Sequence, residues 1–130
     1  MKATALWKSI ACALAGLRLV LRSERNLKIE LTIAIATVVL GLFLRIGWTD
    51  WSVIVLTIGT VLAAEIGNTA VETVVDLVSP AENELARLAK DASAAAVLVT
   101  AMTSVVVGLL ILGPPLSQKL ISLIGPVGVQ

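Results

Sequence analysis

The sequence predicts an all-α integral membrane protein, with an amphipathic amino-terminal surface helix followed by three transmembrane helices. Composition gives the first reason. The chain of 130 residues is 58% hydrophobic and 15% charged, with a mean hydropathy of +0.99, which is no composition for an ordinary soluble core. Charge placement gives the second. Of the 10 basic and 9 acidic residues, none falls in Leu31 to Leu44, Trp51 to Ala64 or Ala92 to Gln118. A bilayer core of about 30 Å needs roughly 20 residues of helix, which places spans at 29–47, 51–71 and 92–112. No soluble domain remains, and the length suits one domain.

The amino-terminal element comes first. Lys2 and Lys8 precede an apolar run, as in a signal peptide, but Arg18, Arg22 and Arg25 follow and no small-residue cleavage site is evident. At 100° per residue, Leu6, Ile10, Leu14, Leu17 and Leu21 share an arc of about 80°, with Lys8, Arg18, Arg22 and Arg25 beside it. Such a helix lies on the membrane. The first span follows it, and Arg45 and Asp50 break the chain before the second. Trp48 and Trp51 sit where indole rings prefer to be, at an interface. After the second span, Ser79, Pro80 and Glu82 resemble a capping box for a short helix before the third. Gly113, Pro114 and Pro115 should stop the third span near Leu112. A membrane domain over residues 1–115 and a carboxy-terminal tail over 116–130 result. With the amino terminus inside, eight Lys and Arg flank the spans on the cytoplasmic side against Arg45 and Lys119 outside, which sets the orientation.

The same composition excludes several functions. A net charge of +1 leaves no footprint for nucleic acid. With no histidine and a single cysteine, Cys12, the usual zinc sites and any Ser-His or Cys-His pair are absent. Chemistry here must use carboxylates, Lys, Arg and Asn.

The second span supplies them. Relative to Glu65, the side chains of Asn68, Glu72 and Asp76 lie at about −60°, −20° and +20° on a helix, so all four share one face. Measured from Trp51, Glu65 is about 21 Å deep and Glu72 about 31 Å, inside the hydrocarbon and at its cytoplasmic edge respectively. Ionisable residues in a span mark functional sites by default. Asn68 on its own would serve as interhelical glue, and Asp76 as a solvated helix end. If the surface helix runs past Leu21, Glu24 falls on its apolar face at the angle of Leu6. Two carboxylates, Glu24 and Glu72, with water and phosphate oxygens suit Mg²⁺; the plainer account of Glu24 is a local pair with Lys28. Lys90 can bind a phosphate, and Asp91 is a favourable charge at a helix start. Every fourth residue from Ala92 through Ala96, Thr100 and Ser104 to Gly108 is small, so the third span packs tightly on another helix.

The stretch Glu65-Ile66-Gly67-Asn68-Thr69-Ala70-Val71-Glu72-Thr73-Val74-Val75-Asp76, followed by Ala89-Lys90-Asp91-Ala92-Ser93-Ala94-Ala95-Ala96-Val97, resembles the signature of the prokaryotic diacylglycerol kinase family, which includes undecaprenol kinases. Gly16-Leu17-Arg18 and Glu24-Arg25-Asn26-Leu27-Lys28-Ile29 continue the likeness upstream, over about residues 5–112. The resemblance implies a homotrimer in the bacterial inner membrane, with active sites shared between subunits at the cytoplasmic interface. It implies Glu65 as general base on the lipid hydroxyl, and Glu24 and Glu72 as ligands of the Mg²⁺ that bridges ATP. Asn68 and Asp76 then support the site, Lys90 and Asp91 contact the nucleotide, Ala81, Glu82 and Asn83 form a loop near ATP, and Ala94 lies near the lipid. The expected reaction is ATP-dependent phosphorylation of diacylglycerol to phosphatidic acid, with undecaprenol as the alternative acceptor.

The chain departs from the best-known diacylglycerol kinase type at Ala5 and Cys12, where that type has arginine and tyrosine. It departs from undecaprenol kinases at Glu30, where they usually have histidine, while Ser93-Ala94-Ala95 is closer to the diacylglycerol type. A small proton-coupled transporter using Glu65 as relay is a more remote reading. Such a relay needs access from both sides, whereas these acids cluster on one half with Lys90 and Asp91.

Overall fold

The computed structural model describes residues 2–79, 81 and 83–124. They form four helices, α1 (Lys2–Ser23), α2 (Arg25–Leu44), α3 (Trp48–Val78) and α4 (Glu84–Ile124). Helices α2, α3 and α4 are each long and apolar enough to cross a membrane. One end of the bundle therefore carries Glu24, Ser79 and Asn83, and the other carries Arg45, Ile46 and Gly47.

α1 stands largely apart from the bundle. Leu6, Trp7, Ile10, Leu14 and Leu17 are all exposed, and Val20 and Leu21 are the first residues to be half-buried. The chain then turns: Glu24 N–H donates to Val20 O at 2.8 Å, while the Glu24 backbone is extended at φ −89° and ψ 122°. α2 begins afresh at Arg25, and its Leu27 is the most deeply buried side chain of the described residues.

At the other end Arg45 adopts φ 54° and ψ 47°, and its N–H, with that of Ile46, satisfies the carbonyls of Leu42 and Gly41. This left-handed cap ends α2 three residues before the expected 47. Asp50 Oδ2 accepts from Gly47 N–H at 3.3 Å and opens α3. Trp51 follows. A Cβ on Gly41 would lie 3.0 Å from Trp51 Cη2 and 3.1 Å from Ile46 Cδ1, so a larger residue where the indole crosses α2 would have to push these side chains back by a few tenths of an ångström. Trp48 stays exposed, whereas Trp51 is half-buried packing.

α3 and α4 pair most extensively, and their periodicity explains it. On α3 the covered positions Ile54, Ile58, Val61, Glu65, Asn68, Glu72 and Val75 alternate spacings of four and three; on α4 so do Ala86, Lys90, Ser93, Val97, Thr100, Ser104, Val107 and Ile111. That 3.5-residue repeat keeps a seam facing its partner. The expected fourth-residue stripe does not, since steps of four rotate by about 40° each: Thr100, Ser104 and Gly108 are half-buried but Ala92 and Ala96 are exposed.

Two boundary expectations are corrected. α4 starts at Glu84, so the short helix and the third span are one helix, capped by Asn83, whose Oδ1 accepts from Leu85 N–H at 2.8 Å and Ala86 N–H at 3.3 Å. Pro80 and Glu82 lie outside the described residues. Nor does α4 stop near Leu112: it continues through Pro114 and Pro115 to Ile124. Proline fits helical φ and removes one backbone donor, a loss that transmembrane helices tolerate when neighbours supply support. Here Lys119 Nζ donates to Phe43 O at 3.2 Å and sits 4.0 Å from the Phe43 ring centroid, tying the extension to the end of α2.

Candidate active site

The seam between α3 and α4 changes character along its length. From Ile54 to Val61 it is aliphatic, and from Glu65 onward the same face is polar. Glu65 is 2% exposed, the one charged residue among the buried positions described. Asn68 and Glu72 are half-buried on the next turns, and Asp76 is exposed. The shared face expected of these four residues is therefore present.

α4 supplies the facing partners. Ser93 Oγ donates to Asn68 Oδ1 at 2.6 Å, and Asn68 Nδ2 donates to Glu72 Oε1 at 2.9 Å. The carboxylate fixes the amide: Glu72 only accepts, so the Asn68 N–H₂ faces it and the amide oxygen is left to the Ser93 hydroxyl. One turn outward, Lys90 Nζ bonds and ion-pairs with Asp76 Oδ1. Thr69 Oγ1 closes on the Glu65 carbonyl at 3.1 Å and leaves the Glu65 side chain to tertiary partners.

α2 and the bend before it complete the group. Glu24 and Glu72 both lie within electrostatic reach of the Glu65 carboxylate, and the Asn26 side chain stands near it. Glu30 stands within electrostatic reach of Glu65. Buried oxygens Glu30 Oε2 and Glu65 Oε2 have no hydrogen-bond partner among the described residues. The reason given for Glu24 by the sequence is corrected: α1 ends at Ser23, so Glu24 is turned inward by the extended bend rather than by continuing the apolar face of α1. Its expected local partner is engaged elsewhere, since Lys28 Nζ donates to Arg22 O at 2.8 Å.

Other expected residues are more peripheral. Ala81 and Asn83 are exposed beside a cavity of about 620 Å³ whose wall also holds Asp76 and Lys90. Glu82 lies outside the described residues, as does the side chain of Ala5. Asp91 and Ala94 are exposed, and Asp91 sits two turns inside α4, so it is not a charge at a helix start. Sequence reasoning missed Ser93, Asn26 and Glu30 as site residues. Ser93 had a signal in the 3.5-residue repeat that places it opposite Asn68, and Glu30 had one as an ionisable residue inside a span.

A second cavity, of about 420 Å³, runs between α2, α3 and α4. Glu30 is the charged residue on its wall, with Thr37, Ile54, Val61, Ser104 and Leu112 among the others. An apolar compartment thus meets a cluster of carboxylates. Two of these, Glu24 and Glu72, suit a small hard cation that takes its remaining ligands from phosphate and water. Asn68 occupies Glu72 Oε1, leaving Oε2 for such a role.

The prokaryotic diacylglycerol kinase family matches residues 11–112. The chain is 38% identical over 110 residues to the undecaprenol kinase of Bacillus subtilis (strain 168), covering 85% of this chain and 89% of that protein. It is 36% identical over 114 residues to the diacylglycerol kinase of Synechocystis sp. (strain ATCC 27184 / PCC 6803 / Kazusa), covering 87% of this chain and 65% of that protein. Fold and relatives define a membrane enzyme that transfers phosphate to an alcohol of a lipid. The chain belongs to the prokaryotic diacylglycerol kinase family. That assignment displaces the transporter reading.

Proposed function

We propose that this protein phosphorylates diacylglycerol with ATP, giving phosphatidic acid and ADP, at the cytoplasmic face of the bacterial inner membrane. The observation that carries the proposal is the buried Glu65 at the junction of an aliphatic seam and a polar ladder that leads to Lys90. A lipid kinase must bring a membrane-held hydroxyl to a water-borne nucleotide, and this gradient of polarity does so within one pair of helices. Glu65 accepts the proton of the hydroxyl as its oxygen bonds to the γ-phosphorus and the bond from that phosphorus to ADP breaks. A divalent cation, when bound, supplies neutralisation of the charge on the transferring phosphoryl group. Glu24 and Glu72 would hold it, with Asn68 orienting Glu72. Lys90, Asp91 and the loop 81–83 take the nucleotide, and Asp76 holds Lys90 in place. Ala94 and the apolar cavity serve the lipid.

In this reading α1 lies on the cytoplasmic surface with the amino terminus inside, supported by the exposure of Leu6, Ile10 and Leu14. The assembly is a homotrimer whose sites draw on neighbouring subunits, which would cover apolar faces that a single chain leaves exposed. Undecaprenol is a second acceptor to test, because a relative at 38% identity is an undecaprenol kinase. The deciding experiment is transfer of labelled phosphate from ATP to each lipid presented separately in micelles. Diacylglycerol should be the better acceptor; preference for undecaprenol would reassign the substrate, and transfer to neither would overturn the proposal.

A further inference from the structure

We propose that Arg87 is a further nucleotide contact, holding the outer phosphates of the ATP chain beyond the reach of Lys90. The inference rests on the nucleotide site proposed above. The polar ladder has a direction. From Glu65 it passes the Asn68 and Ser93 rung, then Glu72, then the Asp76 and Lys90 rung. The next seam position is Ala86, and Arg87 stands exposed beside it, three residues before Lys90 on α4 and about 4.5 Å further along the helix axis. Both line the cavity of about 620 Å³ that opens between the end of α3 and the first turns of α4. A polyphosphate whose terminal phosphorus lies beside Glu65 and Glu72 extends along this ladder into that cavity.

The two cations are not equivalent. Lys90 is committed to Asp76, so part of its charge is answered within the protein. Arg87 is exposed, and among the described residues no carboxylate forms an ion pair with it. Glu84 is on the same wall, so the formal charges of Asp76 and Glu84 balance those of Lys90 and Arg87. A general positive field is therefore not the attraction. What Arg87 offers is a planar fork that can give two parallel hydrogen bonds to one phosphate, which a lysine cannot.

The test compares the parent protein with Arg87→Gln and Arg87→Lys in lipid-containing micelles. Affinity for MgATP and MgADP is measured by displacement of a fluorescent nucleotide, beside steady-state kinetics of lipid phosphorylation. Arg87→Gln should weaken both nucleotides by roughly tenfold or more, the loss of a charge-assisted contact, and raise KM for ATP to match. The kcat and the KM for lipid should stay within about twofold of the parent, and Arg87→Lys should recover part of the affinity. Unchanged nucleotide affinity in Arg87→Gln, or a change confined to kcat or to the lipid KM, would overturn the assignment. A parent that binds nucleotide but phosphorylates neither lipid would sink the acceptor reading, with Arg87 still judged by binding. A parent that binds no nucleotide would overturn both.

Discussion

Glu65 is a carboxylate held where few carboxylates survive, and in the proposed reaction it takes the proton while the residues around it hold the other groups. Glu65→Gln keeps shape and hydrogen bonding but removes the proton acceptor. Lipid phosphorylation should fall by roughly 10² to 10⁴ fold while MgATP affinity changes little; loss of ATP binding with turnover retained would move Glu65 into the nucleotide site. Glu24→Gln and Glu72→Gln should instead raise the Mg²⁺ concentration needed for half-maximal rate, and normal activity at limiting Mg²⁺ would remove that residue from the metal site. Ser93 acts one step further out, through Asn68 on Glu72. Losing one such hydrogen bond costs about 1 kcal/mol, so Ser93→Ala should raise the Mg²⁺ requirement by roughly fivefold. Ser93→Thr, which keeps the hydroxyl, should restore it, and equal Mg²⁺ titrations for Ser93→Ala and the parent would show that the hydroxyl orients nothing.

At the scale of elements, the site depends on the register of α3 against α4 and on the crossing of α2 over α3. Asn68 meets Ser93 only because the 3.5-residue repeat of both helices meets in phase. A packed crossing far from the chemistry holds α2 in place: Trp51 lies across Gly41 with little room for a methyl. Gly41→Ala forces the indole or α2 to shift, and overpacking of this kind costs about 1–3 kcal/mol. Thermal unfolding in micelles should begin at lower temperature, with KM for ATP unchanged in protein that remains folded. An unaltered unfolding profile would show that the crossing relaxes freely. The Lys119 contact with Phe43 is a second tie between elements, and it accompanies the passage of α4 through two prolines.

For the whole molecule the open question is how many chains make one site. Glu24 and Glu65 already approach each other within one chain, yet many large apolar side chains of α2, α3 and α4 remain exposed in that chain. If sites draw on neighbouring subunits as proposed, mixing inactive Glu65→Gln chains with inactive Glu24→Gln chains should restore part of the activity. Proven mixed oligomers that never exceed either parent would confine each site to a single chain.

The sequence by itself determined the three spans and the polar face of α3, because both follow from distances along one helix. Charge-free runs of span length leave little choice in a bilayer, and the positions of Glu65, Asn68, Glu72 and Asp76 share a face whatever packs against them. Family membership was legible too, in motifs that are contiguous in the chain. Three things were decided by tertiary structure. Glu24 is turned inward by a bend whose form depends on how α1 meets α2, so helix angles extrapolated past Ser23 misstate the cause. α4 outlasts Pro114 and Pro115, and beyond them Lys119 meets the end of α2, a partner 76 residues away in the chain. Ser93, Asn26 and Glu30 join the site through contacts between helices. Local rules of periodicity and helix breaking describe one segment at a time; which side chains close a site depends on the register between segments, and that is set by packing.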